Sequence, residues 1–249
     1  MDMSKLAIEE RLICALDTAD VDKAKSIIEE LDGVVSFFKI GITLHLASGL
    51  EIVNLLIKNN KRVFLDLKYY DVPETVEQAV REAAKQNISF LTVHGTNEII
   101  QAAARAKEGS DLRILIVTVL TSLDQDDLRE MGYDVRLEDL VLTRAKNGLT
   151  HGADGVISSA NEANMIKKET DGKLVVVSPG IRAEGAKLGD QKRVMTAKDA
   201  IANGANFLVV GRPITNSKER EHGSAREAAL AYIEQMREGE KLLKEQSAN

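Results

Sequence analysis

Five ionisable side chains follow three neighbouring apolar segments: Asp17 after Ala15-Leu16, Lys39 after Phe37-Phe38, and Asp66, Lys68 and Asp71 within Phe64-Leu65-Asp66-Leu67-Lys68-Tyr69-Tyr70-Asp71. In extended chain, residues two apart project from the same face, so Asp66 and Lys68 are neighbours by construction. A charge buried at the end of an apolar run is costly unless it is paired, and an alternating set of carboxylates and ammoniums compensates itself. Paired charges at strand ends suit acid–base and electrostatic chemistry. The alternative is a salt-bridge ring that plugs one end of the fold.

Two later segments end differently, in Ser178-Pro179-Gly180-Ile181-Arg182 and in Gly211-Arg212-Pro213-Ile214-Thr215. Glycine lets backbone N–H groups approach an anion closely, and arginine adds a two-pronged donor matched to a phosphoryl group. Residues 183–195, AEGAKLGDQKRVM, are polar and without clean periodicity. They read as a lid that excludes water, with Gln191 reaching a phosphate or a base, or else as an inert surface loop. Thr121 and Ser122 offer hydroxyls to a ligand edge or cap a helix. His94 either touches the site or is a hydrogen-bonded structural histidine. The other histidines form no ligand set for a metal.

The elements that must position these groups are eight short apolar runs: 12–16, 34–40, 63–67, 90–93, 114–119, 155–157, 174–177 and 207–210. Continuous rather than alternating apolarity marks strands covered on both faces. Between them, segments such as 20–31, 46–59, 76–86 and 197–203 repeat their apolar residues every three or four positions, as amphipathic helices do. Turns at Asn59-Asn60, Asn87, Asn147-Gly148, His151-Gly152 and Asn203-Gly204 supply left-handed caps. Pro73, Pro179 and Pro213 each fall just after a strand. Eight strand–helix units in one linker-free chain predict an α/β protein, a single (β/α)8 TIM barrel spanning residues 1–249, with a doubly wound open sheet as the alternative. The Glu/Lys-rich end, 234–249, reads as a solvated final helix that frays. Active sites of such barrels sit where the strands end, with a phosphate site after strands seven and eight.

Composition narrows the function classes. The 249 residues carry 33 Lys+Arg against 39 Asp+Glu, a net charge of -6, without a long basic run. A nucleic-acid or anionic-membrane partner is therefore not expected. Five Phe, four Tyr and no Trp predict an aliphatic core. The lone Cys14 sits in an apolar run as a small buried hydrophobe and rules out an intrachain disulfide or a cysteine zinc cluster. No signal peptide or membrane-length run is present, so a soluble cytoplasmic protein is expected. Nicotinamide, nucleoside-triphosphate and serine-hydrolase readings lack their glycine-rich or nucleophile motifs.

Together, ALD, FLDLKYYDVPETV, VTVLTS, SPGIR with GDQKR, and VVGRPIT make the chain resemble the orotidine 5'-phosphate decarboxylase family over nearly its whole length. The resemblance implies a homodimeric barrel that converts orotidine 5'-monophosphate (OMP) to UMP and CO2 in de novo pyrimidine biosynthesis, with no metal or organic cofactor. It implies that Lys68 faces C6 of the pyrimidine and supplies the proton that replaces CO2. Asp66 would lie beside the substrate carboxylate, and Asp71 would enter from the partner subunit. Lys39 would join the charge network and, with Asp17, contact the ribose, as would Thr75 of the neighbouring subunit. Thr121 would meet the pyrimidine edge, while Arg182, Gln191, Gly211 and Arg212 would hold the phosphate. The stretch from Asp66 to Thr75 would line the site as a unit.

The family's usual FHDIPNT reads Tyr69-Tyr70-Asp71-Val72-Pro73-Glu74-Thr75 here; Ser178 precedes PGIR where Thr is usual, and Ala183 follows it where Pro is common. None of these removes a charged group. Two alternatives remain: a magnesium-dependent phosphosugar decarboxylase or epimerase on the same barrel, and a catalytically silent UMP-binding barrel. Relatives of the first kind carry a carboxylate near the place of Lys39.

Overall fold

The computed structural model describes residues 6–182, 192–216 and 223–248. Eight strands form a closed barrel: β1 (Leu12–Ala15), β2 (Phe37–Gly41), β3 (Arg62–Tyr69), β4 (Phe90–Val93), β5 (Arg113–Val117), β6 (Gly155–Ile157), β7 (Val175–Ser178) and β8 (Phe207–Val210). Each pairs in parallel with its sequence neighbours, and β8 returns to β1. Closure leaves no sheet edge and excludes the doubly wound alternative.

Side chains alternate across each strand with period two. One set, including Ile13, Ala15, Phe37, Phe64, Phe90, Leu115, Val117, Val177, Phe207 and Val209, packs together inside the barrel. The set between them, such as Leu12, Cys14, Phe38, Leu65, Leu91, Ile116 and Val210, joins the buried faces of the helices. That outer layer is mostly aliphatic, with Phe38 its one strand phenylalanine, but the interior is not. Four of the five Phe meet there, with ring centroids of Phe90 at 5.0 Å from Phe37, 6.0 Å from Phe64 and 5.1 Å from Phe207, all edge to face. Few aromatic residues does not mean few in the core; here the rings are concentrated where one wide cross-section must be filled. The Arg62 guanidinium lies 4.5 Å from the Phe37 ring centroid, at the end of the barrel where the strands begin.

The crossovers are helical: α1 (Val21–Glu30), α2 (Ile42–Ser48), α3 (Glu51–Lys58), α4 (Pro73–Ala84), α5 (Asn97–Ala106), α6 (Gln125–Glu130), α7 (Leu137–Thr150), α8 (Ala163–Glu169), α9 (Ala197–Ala202), α10 (Arg212–Thr215) and α11 (Ala225–Ala248). The single helix expected over 46–59 is two, because Gly49 adopts φ +55° and ends α2. Asn60, Asn87, Gly152 and Gly204 do take left-handed turns before the next strand. Asn147-Gly148 does not: it lies inside α7, where Gly148 permits close packing, since an added Cβ would stand 2.4 Å from Ile116 Cδ1. Helix α11 is continuous to Ala248, and Arg11 reaches its Glu240 at 3.3 Å. Among the described residues no helix is long and apolar enough to cross a membrane.

Phe90 is fully buried at the centre of the aromatic layer. Phe90→Ala is expected to cost about 3–5 kcal/mol of unfolding free energy, read as a lower urea midpoint. A loss of less than about 1 kcal/mol would show that the layer does not organise the barrel interior.

Candidate active site

The inward-facing register that fills the barrel with apolar side chains continues upward into polar ones. Ile13 and Ala15 are followed by Asp17, Phe37 by Lys39, Phe64 by Asp66 and Phe90 by Thr92. The charged groups therefore stand directly on the packed core. Lys39 Nζ donates to Asp17 Oδ1 at 2.8 Å and lies 3.6 Å from Asp66 Oδ2; Lys68 Nζ donates to Asp66 Oδ1 at 2.9 Å. The result is a ladder, Asp17–Lys39–Asp66–Lys68, with alternating charge.

Burial by itself would raise the Asp66 carboxyl, but the Lys39 and Lys68 charges and the hydrogen bonds from Lys68 and Thr92 outweigh it and hold the group below its ordinary value. Burial likewise pulls Lys39 down, and Asp17 and Asp66 more than restore it, leaving its ammonium above the usual lysine value. Both inner members are thus charged at neutral pH. They hold each other in that state.

Lys68 has φ +50°, in the left-handed region that non-glycine residues rarely enter. The β3–β4 register explains where this happens: Leu65 pairs with Leu91 and Tyr69 with Val93, so residues 66–68 bulge opposite Thr92 alone. The inward projection expected for Asp66 and Lys68 stands, but the extended backbone assumed for it does not. A single left-handed residue of this kind costs about 1–2 kcal/mol. It is held by a hydrogen bond from the Lys68 N–H to Thr92 Oγ1 at 2.9 Å, and the same hydroxyl donates to Asp66 Oδ1 at 2.9 Å.

Above the ladder lies a cavity of about 320 Å³, within the range of small-molecule sites. Asp17, Lys39, Asp66 and Lys68 form one part of its wall, Thr121 and Ser122 another, and Pro179, Gly180, Arg182, Gly211 and Arg212 the part above β7 and β8. Gly180 has φ +77°, which turns the chain at the end of β7; beyond it Ile181 pairs with Met195, and the Arg182 N–H donates to the Met195 carbonyl at 3.1 Å. The Arg182 guanidinium is buried and donates to the Ile181 carbonyl at 2.8 Å. Two glycines and two arginines thus share the cavity with the ladder, and Gly211 stands beside Asp17.

Eight of the residues singled out by sequence therefore share one cavity. Asp71 and Thr75 do not: both are exposed, and Asp71 Oδ1 accepts from the N–H of its own neighbour Val72 at 2.7 Å. Residues 66–75 do not line the site as a unit within one chain. Gln191 lies outside the described residues, as does most of the loop expected to act as a lid. Thr121 and Ser122 are not helix caps, because Asp124 caps α6 and accepts from Asp126 and Asp127. His94 lines a separate cavity of about 220 Å³ with Tyr70, Tyr133 and Arg144. Its Nδ1 is buried without a hydrogen-bond partner among the described residues, and burial, reinforced by Arg144 and Lys68, holds its pKa below the ordinary value.

Sequence reasoning overlooked two groups. Thr92 was visible as the one polar residue in the run Phe90-Leu91-Thr92-Val93, on the inward register. Arg193 gave no such signal; it pairs with the buried Glu162 at 2.6 Å and donates to the Val119 and Leu120 carbonyls at 3.1 and 3.0 Å, fastening the chain after residue 191 to the loop that carries Thr121.

Fold and site together define a (β/α)8-barrel enzyme with a charged cluster at its strand ends, seated on an apolar core. The chain belongs to the Orotidine 5'-phosphate decarboxylase / HUMPS family, whose model matches residues 10–228. It is 50% identical over 205 residues to the orotidine 5'-phosphate decarboxylase of Nitrobacter winogradskyi, covering 82% of this chain and 85% of that protein. It is 46% identical over 235 residues to that of Methylococcus capsulatus, covering 94% of each. The crystal structure of orotidine 5'-phosphate decarboxylase from Lactobacillus acidophilus superposes with a TM-score of 0.77 at 31% identity, over 91% of this chain and 99% of that one.

Asp66→Asn leaves the Lys39 and Lys68 ammoniums facing each other without their shared anion. Breaking such a buried pair is expected to cost about 3–5 kcal/mol near neutral pH. Because the folded Asp66 carboxyl titrates below its unfolded value of about 3.9, its contribution is present above that pH and fades as pH falls through the folded value. Urea unfolding should therefore show the gap between wild type and variant closing under acid. A gap unchanged from pH 7 to pH 3 would contradict the ladder's energetics.

Proposed function

We propose that this chain decarboxylates OMP to UMP and CO2, the closing step of de novo UMP synthesis, without a metal or organic cofactor. The observation that carries the reading is the Lys68 ammonium, fixed 2.9 Å from Asp66 at the wall of a cavity that Arg182, Gly211 and Arg212 also line. The relatives from Nitrobacter winogradskyi and Methylococcus capsulatus bear the name of the same activity.

In this reading the phosphate lies between Arg182 and Arg212 with the Gly211 amide, joined by Gln191, and Thr121 meets the pyrimidine edge. Asp17 and Lys39 receive the ribose hydroxyls. The C6 carboxylate then falls beside Asp66 and Lys68. The bond from C6 to the carboxyl carbon breaks, its electron pair stays on C6, and CO2 leaves. Lys68 gives that carbon a proton from Nζ and regains one from solvent. Little resonance stabilises the C6 anion, so a cation already fixed in a water-poor pocket provides the main assistance. Phosphate binding, remote from C6, positions the base for that step.

Asp71 and Thr75 act in this reading on the site of a second copy of the chain. Their exposure supports it, as do the exposed apolar side chains Ile42, Leu46, Tyr70 and Val72 on the segments that follow the adjacent strands β2 and β3. Two-fold pairing would bury this patch symmetrically. The cytoplasm is the proposed compartment. A magnesium-dependent phosphosugar reaction is disfavoured because Lys39 already places a cation between Asp17 and Asp66, the carboxylates a divalent ion would bridge.

Lys68→Ala is expected to lower kcat for OMP at least about 1,000-fold while UMP binding changes by less than about tenfold. Absorbance change on OMP conversion and calorimetry of UMP binding measure the two, and near-wild-type kcat would remove Lys68 from its role. Mixing separately inactive Lys68→Ala and Asp71→Ala chains should restore about a quarter of wild-type activity, since half the random dimers carry one intact site. No recovery after verified subunit exchange would place Asp71 outside the shared site.

A further inference from the structure

The ladder pairs Lys68 with Asp66 but does not fix the direction of its side chain. Lys68 is the only member of the ladder with a left-handed backbone, φ +50°. It sits at the end of a three-residue bulge, 66–68, where β3 has lost its regular pairing with β4. Across that gap stands one residue, Thr92, fully buried on the inward register.

We propose that Thr92 is a positioning residue for the decarboxylation: its hydroxyl locks the bulge so that the Lys68 ammonium and the Asp66 carboxylate are held as one unit. Its Oγ1 accepts the Lys68 N–H at 2.9 Å and donates its own proton to Asp66 Oδ1 at 2.9 Å, the oxygen that also accepts from Lys68 Nζ at 2.9 Å. The three contacts close a ring through Lys68 backbone, Thr92 hydroxyl, Asp66 carboxylate and Lys68 ammonium.

The ring has directional consequences. A hydroxyl has one proton; because a carboxylate only accepts and an N–H only donates, the Thr92 proton must point to Asp66 and its lone pair to Lys68. No rotation of the hydroxyl exchanges these roles. Valine, with the same shape and strand preference, satisfies neither partner: it frees the Lys68 N–H and removes one of the donors to Asp66. Serine retains both contacts. In the valine variant the backbone of Lys68 is free to leave its left-handed conformation, carrying the ammonium with it, and a displacement of about 1 Å in a reacting group costs about 100-fold in rate. Substrate contacts at the phosphate end do not pass through this ring, so binding is spared.

This inference rests on the decarboxylase reading, and the experiment separates the two. OMP turnover is measured for wild type, Thr92→Val, Thr92→Ser and Thr92→Cys, with crystal structures of wild type and Thr92→Val. The expected result is a kcat about 100-fold lower in Thr92→Val, with KM and UMP affinity within about threefold of wild type. Thr92→Ser should stay within about threefold in kcat. Thr92→Cys differs from serine in one atom and hydrogen-bonds weakly; it should reproduce the valine loss, and it serves if the valine variant does not fold. In the valine crystal structure Lys68 should leave positive φ, or its ammonium should part from Asp66. Equal kcat in all four proteins, or an equal fall in the serine and cysteine variants, would overturn the proposal. A wild type without OMP turnover would instead overturn the decarboxylase reading, and the Lys68 conformation in the two crystal structures would then decide the role of Thr92.

Discussion

The structure turns on one electrostatic constraint: two buried charges, Lys39 and Asp66, must be kept ionised where a barrel packed with phenylalanine and aliphatic side chains opens to a cavity. Neither Lys39 nor Asp66, the buried members, is easily held there alone, because taking an isolated charge out of water costs more than folding has to spare, while Asp17 and Lys68 keep part of their side chains in solvent. In alternation, each ammonium lies within 3.6 Å of a carboxylate and the whole set carries no net charge. Asp66 is the hinge of the arrangement, since it touches both lysines and Thr92. The outcome is a cation whose neighbours fix it in place before any substrate arrives, which is the condition under which a charge acts most strongly on an anion forming beside it.

The barrel satisfies this constraint through strand alternation. The same period of two that stacks Ile13 under Ala15 and sets Phe37, Phe64 and Phe90 in the interior delivers Asp17, Lys39, Asp66 and Thr92 one step higher. Core and site are consecutive levels of a single pattern. Lys68 lies one further step up, where β3 leaves its regular pairing with β4 before regaining it at Tyr69, and reaching inward there requires a bulge and a left-handed residue. The backbone strain therefore falls on the residue assigned the chemistry, in keeping with the tendency of strained conformations to gather at functional positions.

How much of this was legible in the sequence differs by level. The eight strands were readable because strands covered on both faces are continuously apolar, and the chain supplies a run for each. The site residues were readable for the converse reason: Asp17, Lys39 and Asp66 are charges that break such runs on the inward register. The arginine-bearing part of the cavity wall was suggested by Gly-Arg and Pro-Gly-Ile-Arg following the last two runs. What escaped is what depends on contacts between distant segments. Thr92 hydrogen-bonds residues 24 and 26 positions away, and Arg193 pairs with Glu162 from 31 positions away. Four rings meeting in one cross-section are invisible to composition, which counts Phe without saying where they go. The break at Gly49 and the burial of Gly148 within α7 show the same ambiguity, since a glycine reads as a stop whether it caps a helix or lets a neighbour approach.

That a protein-borne ammonium, with no metal ion, meets the charge left on C6 is the heart of the proposed reaction. It is tested most directly by following release of CO2 from carboxyl-labelled OMP by the purified wild-type protein, dialysed against EDTA and assayed in its presence. Stoichiometric formation of CO2 and UMP at an undiminished rate is the predicted result. Absence of turnover, or turnover that returns only when magnesium is restored, would contradict it.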